Sequence, residues 1–195
     1  MSGAANNAHP RCGGSSAATS ATTSGRKPSP DQHILLIGFM GAGKSTVARK
    51  MARWFGKVSY DVDAGIKRMA DKTIPEIFAE EGEAGFRRRE LDYLEFLKGM
   101  QPGIVSCGGG VISMPESRKA LRELGFVVFL KVSLDDVYSR ISSTESRPLL
   151  SGDRQKAQDL LDSRTPLYLE CADLVYDTSG KNSGRVAHEL GEMLF

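Results

Sequence analysis

"HILLIGFMGAGKSTVARKMARWF", residues 33–55, sets the architecture of the chain. Residues 33–38 are a short apolar run ending in glycine and read as a buried strand. From Lys44 the apolar positions change to helical spacing. Val47, Met51 and Trp54 fall on or near one face, which predicts all three in the core. Between strand and helix lies "GFMGAGKS", Gly38 to Ser45, a match to G-x-x-x-x-G-K-[ST]. The pattern alone arises by chance, but in this context it describes a phosphate cradle. Gly41, Ala42 and Gly43 let backbone N–H groups point inward at phosphate oxygens, and the helix adds the positive end of its dipole. Lys44 is expected to reach the β- and γ-phosphates, with Thr46 in the same site, and the Ser45 hydroxyl to hold Mg²⁺. The bland alternative is a Gly-rich turn that merely joins two elements.

Outward from this stretch, strands and helices alternate. "KVSYD" (57–61), "GIVSC" (103–107), "FVVFLKV" (126–132) and "DLVYDT" (173–178) read as strands, giving five in all. Helices are expected at "IPEIFAEEG" (74–82), "FRRRELDYLEFLKGM" (86–100), "MPESRKALRELG" (114–125), near "LDDVYSRI" (134–141), from Asp153 to Ala172, and at 184–195. Gly125 reads as a C-terminal stop, and Pro166 as a kink or early turn. Such alternation implies an α/β fold with a parallel sheet covered on both faces, binding its ligands beyond the carboxyl ends of the strands.

A phosphate loop does not say what receives the phosphate. Asp61 and Asp63 follow the second strand, and residues two apart on an extended chain project to one side. One carboxylate is placed to organise water around Mg²⁺, the other to accept hydrogen bonds or a proton from a substrate hydroxyl. Alternatively they form an Asx turn and helix caps. In "GFRRREL", Arg87 and Glu90 are helical neighbours whose ion pair would present the guanidinium to a planar carboxylate, whereas Arg88 and Arg89 read as a solvated face. "VSCGGGV", 105–111, gives up side chains at Gly108, Gly109 and Gly110, so that something must approach closely or the chain must take an unusual path.

Taken in order, "GFMGAGKST", "DVD", "FRRRE", "CGGG", "SRPLL" and "SRTPLY" resemble shikimate kinase over almost the whole folded part, from Ile34 to near the C-terminus. The resemblance implies an adenylate-kinase-like P-loop sandwich of three layers with a five-stranded parallel sheet. It implies transfer of the γ-phosphoryl of ATP to the 3-hydroxyl of shikimate, on the route to chorismate and the aromatic amino acids. Arg87 and Arg164 would clamp the substrate carboxylate. Asp63 would bind the ring hydroxyls and orient or deprotonate the attacking one. Asp61 would join Ser45 at Mg²⁺. Gly108–Gly110 would contact shikimate, where any Cβ would intrude on the ring. Arg147 would close over the phosphates on a lid near 144–154, stiffened by Pro148. Arg140 and Lys181 would contact adenine, although Ser183 stands where many members have proline. Cys107 would be packed rather than nucleophilic. The rival readings are another small-molecule P-loop kinase, such as a gluconate kinase, and a non-catalytic relative. The second is disfavoured because Lys44, Asp63, Arg87 and Arg147 are all present.

The rest of the chain sets bounds. With 195 residues and a net charge of +2 it suits one domain and gives no support for nucleic-acid binding. No apolar run reaches membrane-spanning length. Cys12, Cys107 and Cys171 form neither a zinc pattern nor a disulfide framework, in keeping with a reducing setting; a cytoplasmic monomer is expected. Residues 1–30 are rich in Ser, Ala, Thr and Gly and lack acids, which predicts a disordered tail or, alternatively, a plastid transit segment. Residues 31–195 form the kinase-like domain. His9, in the tail, His33, expected at the domain edge, and His188, expected on the surface of the last helix, have no evident catalytic or metal partner, and Tyr168 and Cys171 read as packing residues.

Overall fold

The computed structural model describes residues 21–23, 25, 27–140 and 153–195. The central strand, β2 (His33–Ile37), is buried throughout. It pairs in parallel with β4 (Gly103–Ser106) on one side and β5 (Gly125–Lys131) on the other. Successive strand residues face opposite ways. Ile34 and Leu36 therefore enter one core, with Val47 and Met51 of α1 (Lys44–Trp54) and Leu190 of α7 (Ser183–Leu194). Leu35 and Ile37 enter a second, with residues of α2 (Val62–Ala70), α3 (Ile74–Leu97), α4 (Pro115–Leu124) and α6 (Arg154–Cys171). Two covered faces explain why β2 is a continuous apolar run rather than an alternating one. The remaining short helix, α5 (Leu134–Arg140), follows β5.

With β3 (Val58–Asp61), β6 (Leu174–Asp177) and β1 (Ala21–Thr23), the sheet order is β1-β6-β5-β2-β4-β3. The five strands expected from the sequence are mutually parallel. β3 and β4 lie on one side of β2, β5 and β6 on the other. The connection from β2 runs to β3 on one side and that from the adjacent β5 to β6 on the other, which opens a crevice at their carboxyl ends.

Several expectations need correction. Residues 21–23 are not part of an unstructured tail: β1 pairs antiparallel with β6 and adds a sixth strand. Composition counts buried apolar side chains, whereas an edge strand is held by backbone hydrogen bonds that composition does not register. Trp54 is 49% exposed, its ring edge-on to His188. Ala48 and Ala52 take the buried positions instead, and these small residues rotate the buried stripe of α1 away from Trp54. Gly125 is extended (φ 174°) and opens β5. It also ends α4 as its C-cap, as the sequence predicts, its N–H donating to the Leu121 carbonyl, and a Cβ there would lie 2.1 Å from the His33 carbonyl oxygen. His33 is buried, not at the edge. Pro166 sits within a helix that continues to Cys171. The two helices read on either side of Gly82 are two segments of α3 broken at that residue (φ 69°, ψ −173°). The Arg89 guanidinium forks onto Glu81 across the break, at 2.8 and 2.7 Å, so Arg89 braces the kink rather than lying on a solvated face.

Candidate active site

The first glycine of the phosphate loop is fixed by crowding. A Cβ on Gly38 (φ 142°) would lie 2.6 Å from the Leu130 carbonyl oxygen. Gly43, at φ 87°, is the N-cap of α1 and supplies no side-chain cap, and the first turn holds no acid. The amino end of α1 thus keeps open N–H groups and an uncompensated positive dipole, as an anion site requires. By contrast Asp61, Thr73, Asp153 and Asn182 cap α2, α3, α6 and α7 with their own side chains. Lys44 is buried, and its ammonium donates to the carbonyls of Gly38 and Phe39 at 2.8 and 3.0 Å, which holds the charge against the loop.

Beside the loop is a cavity of about 310 Å³ lined by Gly41, Gly43, Lys44, Ser45, Thr46, Asp61, Asp63, Ser106 and Gly108, among others. The two aspartates do not both lie on extended chain, as their spacing suggested. Asp61 ends β3 and accepts a hydrogen bond from the Ala64 amide as the α2 N-cap, while Asp63 stands in the first turn of α2. Helical geometry nevertheless leaves both carboxylates in the cavity wall. Asp63 opens to the cleft but is crowded by protein. That partial desolvation, and next the charge of Asp61, raises its pKa against the pull of Lys44, Lys67 and Arg87. The Ser45 hydroxyl shares a 2.9 Å hydrogen bond with Ser106, which the sequence did not single out.

The glycine turn answers to side chains from α2 and α3. A Cβ on Gly108 would lie 2.6 Å from Glu90 Oε1 and 3.2 Å from Asp63 Oδ1, and one on Gly110 would lie 2.2 Å from Arg87 Nη2. None of the three has a positive φ. The path is ordinary and the close approach is real. The groups that approach are Asp63, Glu90 and Arg87, and not only a substrate ring. Arg87 Nη1 donates to Glu90 at 2.6 Å and Nη2 to Glu83 at 2.8 Å. Burial opposes the Arg87 charge, but the two carboxylates outweigh it and hold the guanidinium charged. Burial pushes the Glu90 carboxyl up while Arg87 draws it back. Glu90 is fully buried, so the ion pair read from the sequence is an internal strut. Arg88 stays on the surface beside Asp92. Arg164, on α6, is near enough to Glu90 and Tyr168 to perturb both, which brings it to the same turn as Arg87. Cys107 is buried and its pKa raised by desolvation, so it stays a thiol and packs.

On the far side of the loop a cavity of about 360 Å³ is lined by Gly41, Ala42, Gly43, Thr46, Val47, Arg140, Lys181 and Ser183, among others. The shared loop residues make the two cavities neighbours. Arg140 is not an ordinary surface arginine: it donates to Thr178 Oγ1 and to the carbonyls of Thr178 and Lys181. The Lys181 ammonium donates to Tyr176 and Glu189, and Ser183 Oγ accepts from Lys50. A further cavity, of about 270 Å³, lies away from the loop among Pro28, Lys57, Pro102 and Phe195 and has none of this chemistry. Arg147 and the lid up to residue 152 lie outside the described residues. Asp153 caps α6, and Arg154 pairs with Asp135.

Residues 40–195 match the family model for shikimate kinase. The chain is 42% identical over 158 residues to the shikimate kinase of Methylococcus capsulatus, covering 80% of this chain and 88% of that one. It is 39% identical over 181 residues to that of Bordetella bronchiseptica, covering 90% and 86%. Among solved structures, the shikimate kinase of Acinetobacter baumannii in complex with shikimate aligns with a TM-score of 0.76 at 37% identity, covering 82% of this chain and 90% of that one. Phosphate loop, paired arginines and glycine turn thus coincide with similarity along most of the chain, and the protein belongs to the shikimate kinase family.

Proposed function

We propose that the chain moves the γ-phosphoryl of ATP to the 3-hydroxyl of shikimate through the residues gathered at the carboxyl end of β2, β3 and β4. The observation that carries this is the gathering of Arg87, Glu90, Asp63 and Arg164 about one glycine turn beside the phosphate loop. Two guanidiniums suit a planar carboxylate, and a carboxylate opposite them suits a hydroxyl. Arg87 and Arg164 hold the substrate carboxylate, which turns the ring hydroxyls towards Asp63. Asp63, its pKa raised by crowding and by Asp61, accepts the hydroxyl proton as that oxygen bonds to the γ-phosphorus. The bond to the bridging oxygen breaks, and ADP leaves. Lys44 and the amides of α1 stabilise charge on the transferring group. Arg147, outside the described residues, would add charge to the phosphates. Arg140, Lys181 and the loop they bind form the adenine side.

The donor set fits Mg²⁺. Ser45 and Asp61 offer hard oxygens beside the phosphate loop. No cluster of three or more His, Cys, Asp or Glu groups among the described residues forms a dedicated metal cage. Mg²⁺ is usually held by one or two protein oxygens together with phosphates and water. When bound it would neutralise phosphate charge. The protein is read as a cytoplasmic monomer, to be checked by cell fractionation and by light scattering. No described helix is long and apolar enough to cross a membrane.

A coupled assay for ADP release, with shikimate, gluconate or no acceptor, tests the reading. Turnover with shikimate alone is expected. Equal turnover with gluconate would point to the broader kinase class, and no turnover with shikimate would sink the proposal.

A further inference from the structure

Tyr168 is fully buried on α6, four residues beyond Arg164 and so on the same helical face. Its ring stacks on Phe129 of β5, with centroids 4.9 Å apart and planes at 22°. Its hydroxyl crosses 59 residues of sequence to donate to the carbonyl of Gly109 at 2.5 Å. Gly109 also faces the phosphate loop: a Cβ there would lie 3.4 Å from the Met40 amide nitrogen. The glycine turn is therefore held between the loop that binds the donor phosphate and a phenol from the helix that carries Arg164.

We propose that Tyr168 is a positioning residue for the acceptor, tethering α6 to the glycine turn and so setting Arg164 relative to the backbone at Gly109. This rests on the shikimate-binding reading given above. A carboxylate clamp on α6 and a turn after β4 belong to separate elements. Without a link they move independently, and a substrate spanning them meets an unfixed gap. The tether needs a donor that keeps its proton. Burial raises the phenol pKa, and the nearby Arg164 lowers it only in part, so the O–H survives throughout the working range. Phe129 stacks on the ring, and the Arg164 guanidinium, which can only donate, leaves the hydroxyl's own proton for the Gly109 carbonyl.

Tyr168→Phe removes the hydroxyl while keeping the ring and its stacking. It is compared with Leu190→Ala, which opens the opposite core, away from the turn. Tyr168→Phe should raise the KM for shikimate about tenfold, a typical consequence of losing one buried hydrogen bond, with the KM for ATP within about twofold of wild type. Leu190→Ala should lower the melting temperature without changing the KM for shikimate. Hydrogen exchange of the 107–111 amides should quicken in Tyr168→Phe, and this readout requires no substrate. Should wild type fail to phosphorylate shikimate, the functional reading falls, and the exchange result alone decides the tether. A KM for shikimate in Tyr168→Phe that moves no more than in Leu190→Ala, or unchanged exchange at the turn, overturns the proposal.

Discussion

Gly108 and Gly110 are bare because of side chains that arrive from α2 and α3. Gly110→Ala would drive a methyl into the Arg87 guanidinium and displace it from Glu90. The expected result is a loss of shikimate affinity of tenfold or more, with nucleotide affinity nearly intact, read by calorimetric titration. Gly109→Ala meets the phosphate-loop backbone only at ordinary contact distance and has no positive φ, so it should be the milder of the two. The reverse ranking would refute the packing account. At Lys44, alanine removes the charge on the transferring group, and turnover should fall at least ~10²–10³-fold with the fold intact by circular dichroism. Asp63 gives a pH dependence. Its raised pKa moves the protonated, inactive form to higher pH. The acid limb of kcat/KM, which reports the free enzyme, should then lie above the ordinary aspartate range, and a limb at or below that range would exclude Asp63 as proton acceptor.

At the scale of elements, His33 ties β2 to its neighbours. The Gly103 amide can only donate and the Leu97 carbonyl only accept, so Nδ1 accepts from Gly103 at 3.2 Å and Nε2 donates to Leu97 at 3.0 Å. The fold therefore selects neutral imidazole, and burial lowers the pKa below its usual 6.5. Lowering means that stability is complete above 6.5 and is lost as pH falls towards the folded value. The fall in melting temperature between pH 8 and pH 5 should be smaller in His33→Gln than in wild type. An equal fall in both would assign the acid sensitivity elsewhere. The sequence placed His33 at an edge because the packing of the end of α3 against it is not local information.

For the whole molecule, β1 closes the β6 edge with three residues. Deleting residues 1–24 should lower the melting temperature by only a few degrees, about what 1 kcal/mol gives in a domain of this size. Turnover should be unchanged. A melting temperature identical to that of the full chain in scanning calorimetry would mean that the strand contributes nothing in solution.

The phosphate loop and the parallel sheet were legible in the sequence because each is a local pattern. Period and glycine spacing follow from backbone geometry, and Lys44 and Ser45 are placed by the turn that contains them. Only tertiary structure decided which neighbours those residues meet. It turned Trp54 outward, because Ala48 and Ala52 admit the close packing of α1. It folded Asp63 into a helix, made Arg140 a brace for residues 178–181, and set Glu90 and Tyr168 around the glycine turn from distant segments. Spacing along a chain fixes direction within one element. The distance between two elements is fixed by side-chain volumes packed between them, and no short stretch of sequence contains both sides of that contact.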